Sequence, residues 1–248
     1  MKKTLVAVAL LAGAVSGYSQ GQVSMVDYGE VDFQISVWSP NVGSPTLQVQ
    51  GDSSIALDTA AGAAADNPSG NTVYTGTPLG GNAADTGTTA SDFGNGNVWS
   101  IQLYAAAGTV DSFSGLSPVA GSTANFFVDS TVEGYAGSWN SSSAATVPGV
   151  ANGSPATLAI AAWYNGNGVY TSYAQALAAG QLTGYSTLGV VDLNGVPNIP
   201  PDLPGLGQAQ TLSGGITSFN VYSSIPEPST IALGVIGMSA FLMRLRRK

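Results

Sequence analysis

Two carboxylates four residues apart, Asp129 and Glu133, form the pair best suited to acid and base chemistry in this sequence. Such a pair hydrolyses a glycoside when one carboxyl is held protonated and its partner is ionised. Enzymes of this kind usually also bind their sugar with histidine, arginine or lysine, and none of these occurs between Thr4 and Met243. We therefore interpret both acids as solvated loop residues and predict a protein without catalytic activity.

The placement of ionisable residues argues against most other functional classes. All 6 lysines and arginines lie within five residues of an end of the chain, and histidine and cysteine are absent. We expect no nucleic-acid binding, because phosphates are neutralised by lysine and arginine. Histidine triads, thiolate nucleophiles, disulfides and the usual zinc sites need residue types that this chain lacks. The net charge is -8, and thirteen of the 14 acids lie between Asp27 and Asp202.

Tryptophan rings provide another kind of chemistry, since their apolar faces stack on sugar rings. Trp99 lies on the apolar face of a predicted strand, so we expect it in the core. Trp163 falls on the face opposite to the apolar residues of its strand, and Trp139 lies among small polar residues typical of a loop. Trp139 and Trp163 are therefore our candidate glycan-binding platforms, with packing in the core as the alternative for each.

Carboxylate and amide oxygens are also the ligands that calcium prefers. They lie close together in Asp27–Asp32, Asp92–Asn97 and Asp192–Asn194. None of these segments matches an EF-hand loop, and most acids are spread singly along the chain. We predict no metal site and no cofactor, with calcium as the one alternative left open.

Residues 20–224 are predicted to form one extracellular all-β domain. Apolar and polar residues alternate in several short segments, and Asn-Gly pairs typical of tight turns separate them. Short strands without long intervening helices favour an antiparallel β-sandwich, with a barrel-like closure as the alternative. The predicted strands lie at 31–38, 97–105, 125–129, 156–164, 188–193, 208–212 and 216–222.

Three other segments of this domain depart from the strand pattern. One short helix is predicted over 172–179, where Ser172 can cap its start and Gly180 can end it. Residues 58–92 are low in complexity, which predicts a long mobile loop with one hairpin strand at 72–75. Four prolines over 195–207 predict an extended crossover.

Residues 1–19 are typical of a secretory signal peptide. Lys2 and Lys3 precede an apolar run over 4–15, which is too short to span a bilayer core as a helix. Small residues follow, and we expect signal peptidase to cleave after Ser19, with cleavage after Ser16 as the alternative. The sequence thus predicts a signal helix and export across the inner membrane.

Residues 225–248 combine a polar motif, an apolar run and a basic tail. The apolar run predicts a transmembrane helix over 229–243, and the cations over 244–248 predict a cytoplasmic C-terminus. The main domain is then expected on the outer side of the membrane. The residues of the motif and tail are Pro226, Glu227, Pro228, Ser229, Thr230, Arg244, Arg246, Arg247 and Lys248.

This C-terminal segment closely resembles the PEP-CTERM sorting signal of Gram-negative bacteria. The resemblance implies recognition by an exosortase, which is a membrane cysteine protease, and cleavage near the Pro-Glu-Pro motif. It also implies a membrane-anchored intermediate and release to the cell surface or to a matrix rich in exopolysaccharide. Short blocks at 101–108, 146–149, 161–166 and 200–207 resemble uncharacterised PEP-CTERM proteins of verrucomicrobial type, which implies a shared β-domain.

The sequence as a whole predicts a secreted, exosortase-processed protein with a structural or matrix-associated role at the cell surface or outside the cell. The alternative is an extracellular polysaccharide-binding β-module. A domain with thirteen acids and no base would stay soluble and would resist adhesion to anions.

Overall fold

The computed structural model describes residues 20–25, 35–53, 70–82, 86–128, 137–139, 144–193 and 215–224. Among these residues no helix is long and apolar enough to cross a membrane. Several predictions lie outside the described residues: the signal helix at 1–19, Asp27–Asp32, the carboxylate pair Asp129 and Glu133, the crossover at 195–207, the strand at 208–212 and the sorting segment at 225–248.

Two long strands, β3 (Trp99–Ala107) and β7 (Pro155–Tyr164), form the centre of the main sheet. They pair antiparallel over nearly their whole length, from Trp99 opposite Tyr164 to Ala107 opposite Ala156. Both strands were predicted from their alternating apolar residues, and their bounds differ from the prediction by only one or two residues. Short strands complete the sheet: β4 (Ser117–Pro118), β5 (Ala124–Asn125), β8 (Leu182–Tyr185), β9 (Gly189–Asp192) and β11 (Tyr222–Ser223).

Two smaller sheets pack on one face of the main sheet and give a sandwich-like arrangement. In the first, β1 (Gln20–Ser24) pairs antiparallel with β6 (Ala144–Ala151). In the second, β2 (Val37–Trp38) pairs parallel with β10 (Phe219–Asn220). The predicted architecture is antiparallel, and this pair differs from it. Residues Phe219–Asn220 run in the same direction as Val37–Trp38. The fold is thus mostly β, as predicted.

The first hydrophobic core fills the space between these layers. Alternate residues of the central strands point into it, including Ile101, Leu103, Leu158 and Ile160, each fully buried. Partners from the smaller sheets meet them there, because every strand of a sandwich turns one face inward. These partners include Val23, Val37, Ala145, Val147, Val150 and Phe219.

The opposite face of the main sheet is covered by one short helix, α1 (Tyr173–Ala178). A second core lies beneath it and contains Tyr104, Trp163, Tyr173 and Ala176, all buried. The small side chains of Ala159 and Ala161 on β7 belong to this core and leave room for the helix to approach the sheet. Burial of β7 on both faces explains why its sequence is almost continuously apolar.

The predicted helix is confirmed together with its capping. Ser172 precedes the helix, and its hydroxyl oxygen accepts a hydrogen bond from the Gln175 N–H at 3.3 Å. Gly180 follows with a φ of 68°, a left-handed conformation that glycine adopts without strain. Capping residues at both ends therefore set the length of α1.

The low-complexity segment at 58–92 contacts the domain through several of its described residues. Leu79 is fully buried in the first core. The ring of Tyr74 stacks on Trp38 with a centroid separation of 5.0 Å, and its hydroxyl lies 2.7 Å from the Ser218 carbonyl oxygen. The predicted hairpin strand at 72–75 is not formed, because these residues bond to separate neighbours, such as Thr72 to the Asp52 carbonyl at 3.1 Å.

Replacing Ile160 with alanine should destabilise the domain by about 2–5 kcal/mol, because Ile160 is fully buried and its truncation leaves a cavity. Urea unfolding of the full chain measures this change. Val169→Ala is the control, since Val169 is 69% exposed and should change stability by about 0.5 kcal/mol or less. Equal effects of both substitutions would contradict the assigned core.

Alkaline pH should destabilise the fold through its buried tyrosines. Burial raises the pKa of Tyr104, Tyr164, Tyr173 and Tyr222 above the ordinary value of 10.0. Below pH 10 these tyrosines are neutral in both states, and above it they ionise first in the unfolded chain. Stability should therefore fall as the pH rises above about 10.

Because histidine and cysteine are absent, stability should stay nearly constant between about pH 6 and pH 9. Melting temperatures across this range and up to pH 11 test both expectations. A loss of stability centred near pH 7 would contradict them.

Candidate functional site

The two tryptophans predicted to present exposed faces to sugars are both buried. Trp139 is 1% exposed, and its indole N–H donates to the Met25 carbonyl at 2.8 Å. Trp163 is 0% exposed, and its N–H donates to the Tyr170 carbonyl at 2.9 Å. The prediction of exposed rings is wrong, because each indole buries its ring and also satisfies its polar group.

The predicted calcium ligands are not assembled into a site within the described residues. No group of three or more acidic side chains among them is placed to hold a metal ion. In the segment Asp92–Asn97, the Asp92 carboxylate accepts a hydrogen bond from the Thr89 N–H and closes a local turn. The segment Asp192–Asn194 is described only up to Leu193. Calcium binding elsewhere in the chain stays the alternative that the sequence leaves open.

A polar groove opens where β3, β5 and the loop at 165–171 meet. It consists of two cavities, of about 520 and about 400 Å³, which share Asn97, Thr123 and Asn125 in their walls. We call the two cavities together the amide groove. The larger cavity is completed by Ala124, Phe126, Phe127 and Val128, and the smaller one by Ser100, Trp163, Asn165, Asn167, Gly168, Tyr170 and Thr171.

The strand register brings these distant residues together. Because β3 and β7 are antiparallel, β3 begins where β7 ends, with Trp99 opposite Tyr164. Asn97 precedes the first strand and Asn165 follows the second, so both lie at the same edge of the sheet. Asn125 joins them there because it pairs with Ser100 across β3 and β5.

Asn165 fixes the floor of the amide groove. Its side-chain amide donates to the Asn97 carbonyl at 2.8 Å and to the Ser100 hydroxyl at 3.0 Å. Its side-chain oxygen accepts from the Gly168 N–H at 3.2 Å. Its backbone carbonyl accepts from the Tyr170 N–H at 2.8 Å. One buried asparagine thus ties the loop at 165–171 to the start of β3.

Three successive residues in this loop have a positive φ: Gly166 at 61°, Asn167 at 57° and Gly168 at 89°. Glycine and asparagine tolerate this conformation better than other residues. The glycines of the two Asn-Gly pairs in this loop therefore have the positive φ angles that the sequence predicts, whereas Asn95 has a φ of -85°. They lead here from β7 into α1 and not into a hairpin, because the loop bonds back to Asn165.

The mouth of the amide groove is rich in amides and hydroxyls. Asn97, Thr123, Asn125, Asn167 and Thr171 are exposed. The Ser100 hydroxyl donates to the Asn125 side-chain oxygen at 3.1 Å, which leaves the nitrogen of that amide without a bond to any described residue. The described lining residues include no charged side chain. The described residues of the groove can therefore exchange hydrogen bonds with a ligand and offer it no ion pair.

The sequence does not predict this groove, because its pattern indicates strands at Asn97 and Asn125 and turns at Asn165 and Asn167. The available signal was their position beside the ends of two strands that pair antiparallel. Comparisons of the chain with protein-family models, with curated proteins and with solved structures find no match.

Asn165→Ala should destabilise the domain by about 2 kcal/mol, because it removes three side-chain hydrogen bonds, one of them to the buried Ser100 hydroxyl. Asn167→Gly is the matched control in the same loop. It should be nearly neutral, since glycine accepts the φ of 57° without strain. Urea unfolding compares the two variants. A neutral Asn165→Ala would show that this asparagine does not hold the groove together.

Proposed function

We propose that the chain is the precursor of an exported, non-catalytic structural or matrix-associated protein. Signal peptidase would remove its N-terminal segment, and an exosortase would process its C-terminal segment. The observation that carries the proposal is the segregation of charge. Every lysine and arginine lies within five residues of the N-terminus or of the C-terminus, and the chain from Thr4 to Met243 contains none.

Both terminal segments have the physical properties of membrane-directed signals. The apolar run over 4–15 has 12 residues, about 18 Å as a helix, and follows two lysines. The run over 229–243 has 15 residues, about 22 Å, and precedes four cations. Long arginine side chains can extend such a short helix toward the membrane surface. The positive residues hold the C-terminus in the cytoplasm while the domain is exported.

The described domain is suited to this destination. Its folding depends on hydrophobic packing and hydrogen bonds, so it needs neither a disulfide nor an ion pair among the described residues. Between Thr4 and Met243 the chain contains acidic residues and no basic ones, so the surface of the domain is acidic. Such a surface repels other copies and other anions, which keeps a protein soluble at the cell surface.

The alternative function, polysaccharide binding, is favoured by one specific observation. The amide groove offers uncharged hydrogen-bonding groups on a rigid floor. The rings of Trp139 and Trp163 do not support it in the way that the sequence predicts, because both are buried. A binding role and a matrix-associated role are compatible within one exported protein.

Exosortase processing is tested by expressing the full chain in a Gram-negative host with and without an exosortase gene. With the enzyme, we expect a protein of lower mass that leaves the membrane fraction. Without it, the protein should keep its C-terminal segment and stay in that fraction. An unchanged mass and an unchanged membrane fraction in both hosts would contradict the proposal.

A variant pair makes this test specific to the motif. Pro226→Ala with Glu227→Gln should block processing, because it removes the proline and the acid that precede the apolar run. Pro201→Ala with Asp202→Asn changes an equivalent proline–acid pair outside the sorting segment. This control should be processed as efficiently as the natural chain. Similar behaviour of the two variants would show that the motif is not what the protease recognises.

A further inference from the structure

We propose that the amide groove binds an uncharged, hydroxyl-rich polysaccharide. The inference deepens the proposed function, since an exported protein meets such polymers at the cell surface. It depends on the groove and not on how the chain is processed. Its two cavities, of about 520 and about 400 Å³, share a wall and together offer room for more than one sugar unit.

The exposed wall residues match the hydrogen-bonding pattern of sugars. A sugar hydroxyl both donates and accepts, and so do an asparagine amide and a threonine hydroxyl. The Asn97 side chain and the Asn125 amide nitrogen make no hydrogen bond to the described residues, and both are exposed. Thr123, between the two cavities, adds a hydroxyl. These groups are available to a ligand without breaking the bonds that hold the domain together.

The floor of the groove is already ordered before any ligand arrives. Asn165 bonds to both Asn97 and Ser100, and Ser100 in turn donates to Asn125 at 3.1 Å. The indole N–H of Trp163 donates a hydrogen bond to the Tyr170 carbonyl oxygen at 2.9 Å. A preorganised site loses little conformational entropy on binding, which favours affinity for a flexible polymer.

Apolar groups lie at both ends of this polar wall. Phe127 is half-buried and Val128 is 36% exposed at one end, and Tyr170 is half-buried at the other. Sugar rings present C–H faces that pack on such surfaces while their hydroxyls bond to neighbouring amides. These residues take the place of the exposed tryptophans that the sequence predicts.

Charge restricts the class of polysaccharide. A uronate or sulfate group is bound most strongly by a cationic partner, and the chain has no lysine, arginine or histidine between Thr4 and Met243. The thirteen acids between Asp27 and Asp202 would repel a polyanion as well. The lining itself carries no charge among its described residues. Neutral glucans and mannans therefore fit the groove better than acidic polymers.

Binding is measured on the full chain, purified in detergent, by affinity electrophoresis and calorimetry. The probes are dextran, laminarin and galactomannan as neutral polymers, and alginate as the acidic comparison. We expect binding to at least one neutral polymer and none to alginate. Absence of binding to all three neutral polymers, or a preference for alginate, would overturn the proposal and leave exosortase processing unaffected.

A matched pair of double variants locates the site. Thr123→Ala with Asn125→Ala removes two exposed groups from the groove wall and should weaken binding at least about tenfold, or about 1.4 kcal/mol. Thr109→Ala with Asn152→Ala removes the same two residue types at the other end of β3 and β7, where both are exposed. This control should bind like the natural chain. Equal weakening by both pairs would overturn the assignment.

A measurement on the natural chain keeps the test valid if a variant folds poorly. In a nuclear magnetic resonance titration with the bound polymer, the side-chain amide signals of Asn97 and Asn125 should shift. The signal of Asn152, which lies one β7 length away, at about 30 Å, should not. Shifts confined to residues outside the groove would contradict the proposal.

Discussion

The structure depends on one pairing, the antiparallel ladder between β3 and β7. Nine residue pairs, from Trp99 opposite Tyr164 to Ala107 opposite Ala156, form the ladder. Its two faces supply both hydrophobic cores, one against the smaller sheets and one against α1. The same register brings the residues before β3 next to those after β7, so the amide groove is a direct consequence of this pairing.

Much of this architecture could be predicted, because the central strands alternate apolar and polar residues and α1 has clear capping residues. The strand β6 was missed, since Pro148 and Gly149 interrupt its alternation, although Val147 and Val150 are buried. The groove was missed for another reason. An asparagine after a strand has the same sequence neighbours whether it closes a turn or lines a cavity. Only the pairing register of distant strands, such as β3 and β7, distinguishes the two. The burial of Trp139 could not be predicted for the same reason. The small polar residues beside it in the sequence are typical of a loop, but its ring is part of the first core.

Charge connects the fold with the proposed function. The cations lie only in the terminal segments, where they would set orientation in the membrane, and the domain between them has acids alone. Between Thr4 and Met243 such a domain has no cationic side chain with which to neutralise phosphates or uronates. In the amide groove, the exposed amides of Asn97 and Asn125 offer a partner uncharged hydrogen bonding on a floor fixed by Asn165. Sorting to the cell surface and recognition of a neutral polymer there would then belong to one protein.

The most direct test of this account is the C-terminal residue of the protein that the cell releases, determined by mass spectrometry of its terminal peptide. If an exosortase processes the chain, this peptide should end near Pro226–Thr230, without the apolar run and the basic tail. A released protein that still ends at Lys248 would contradict the account.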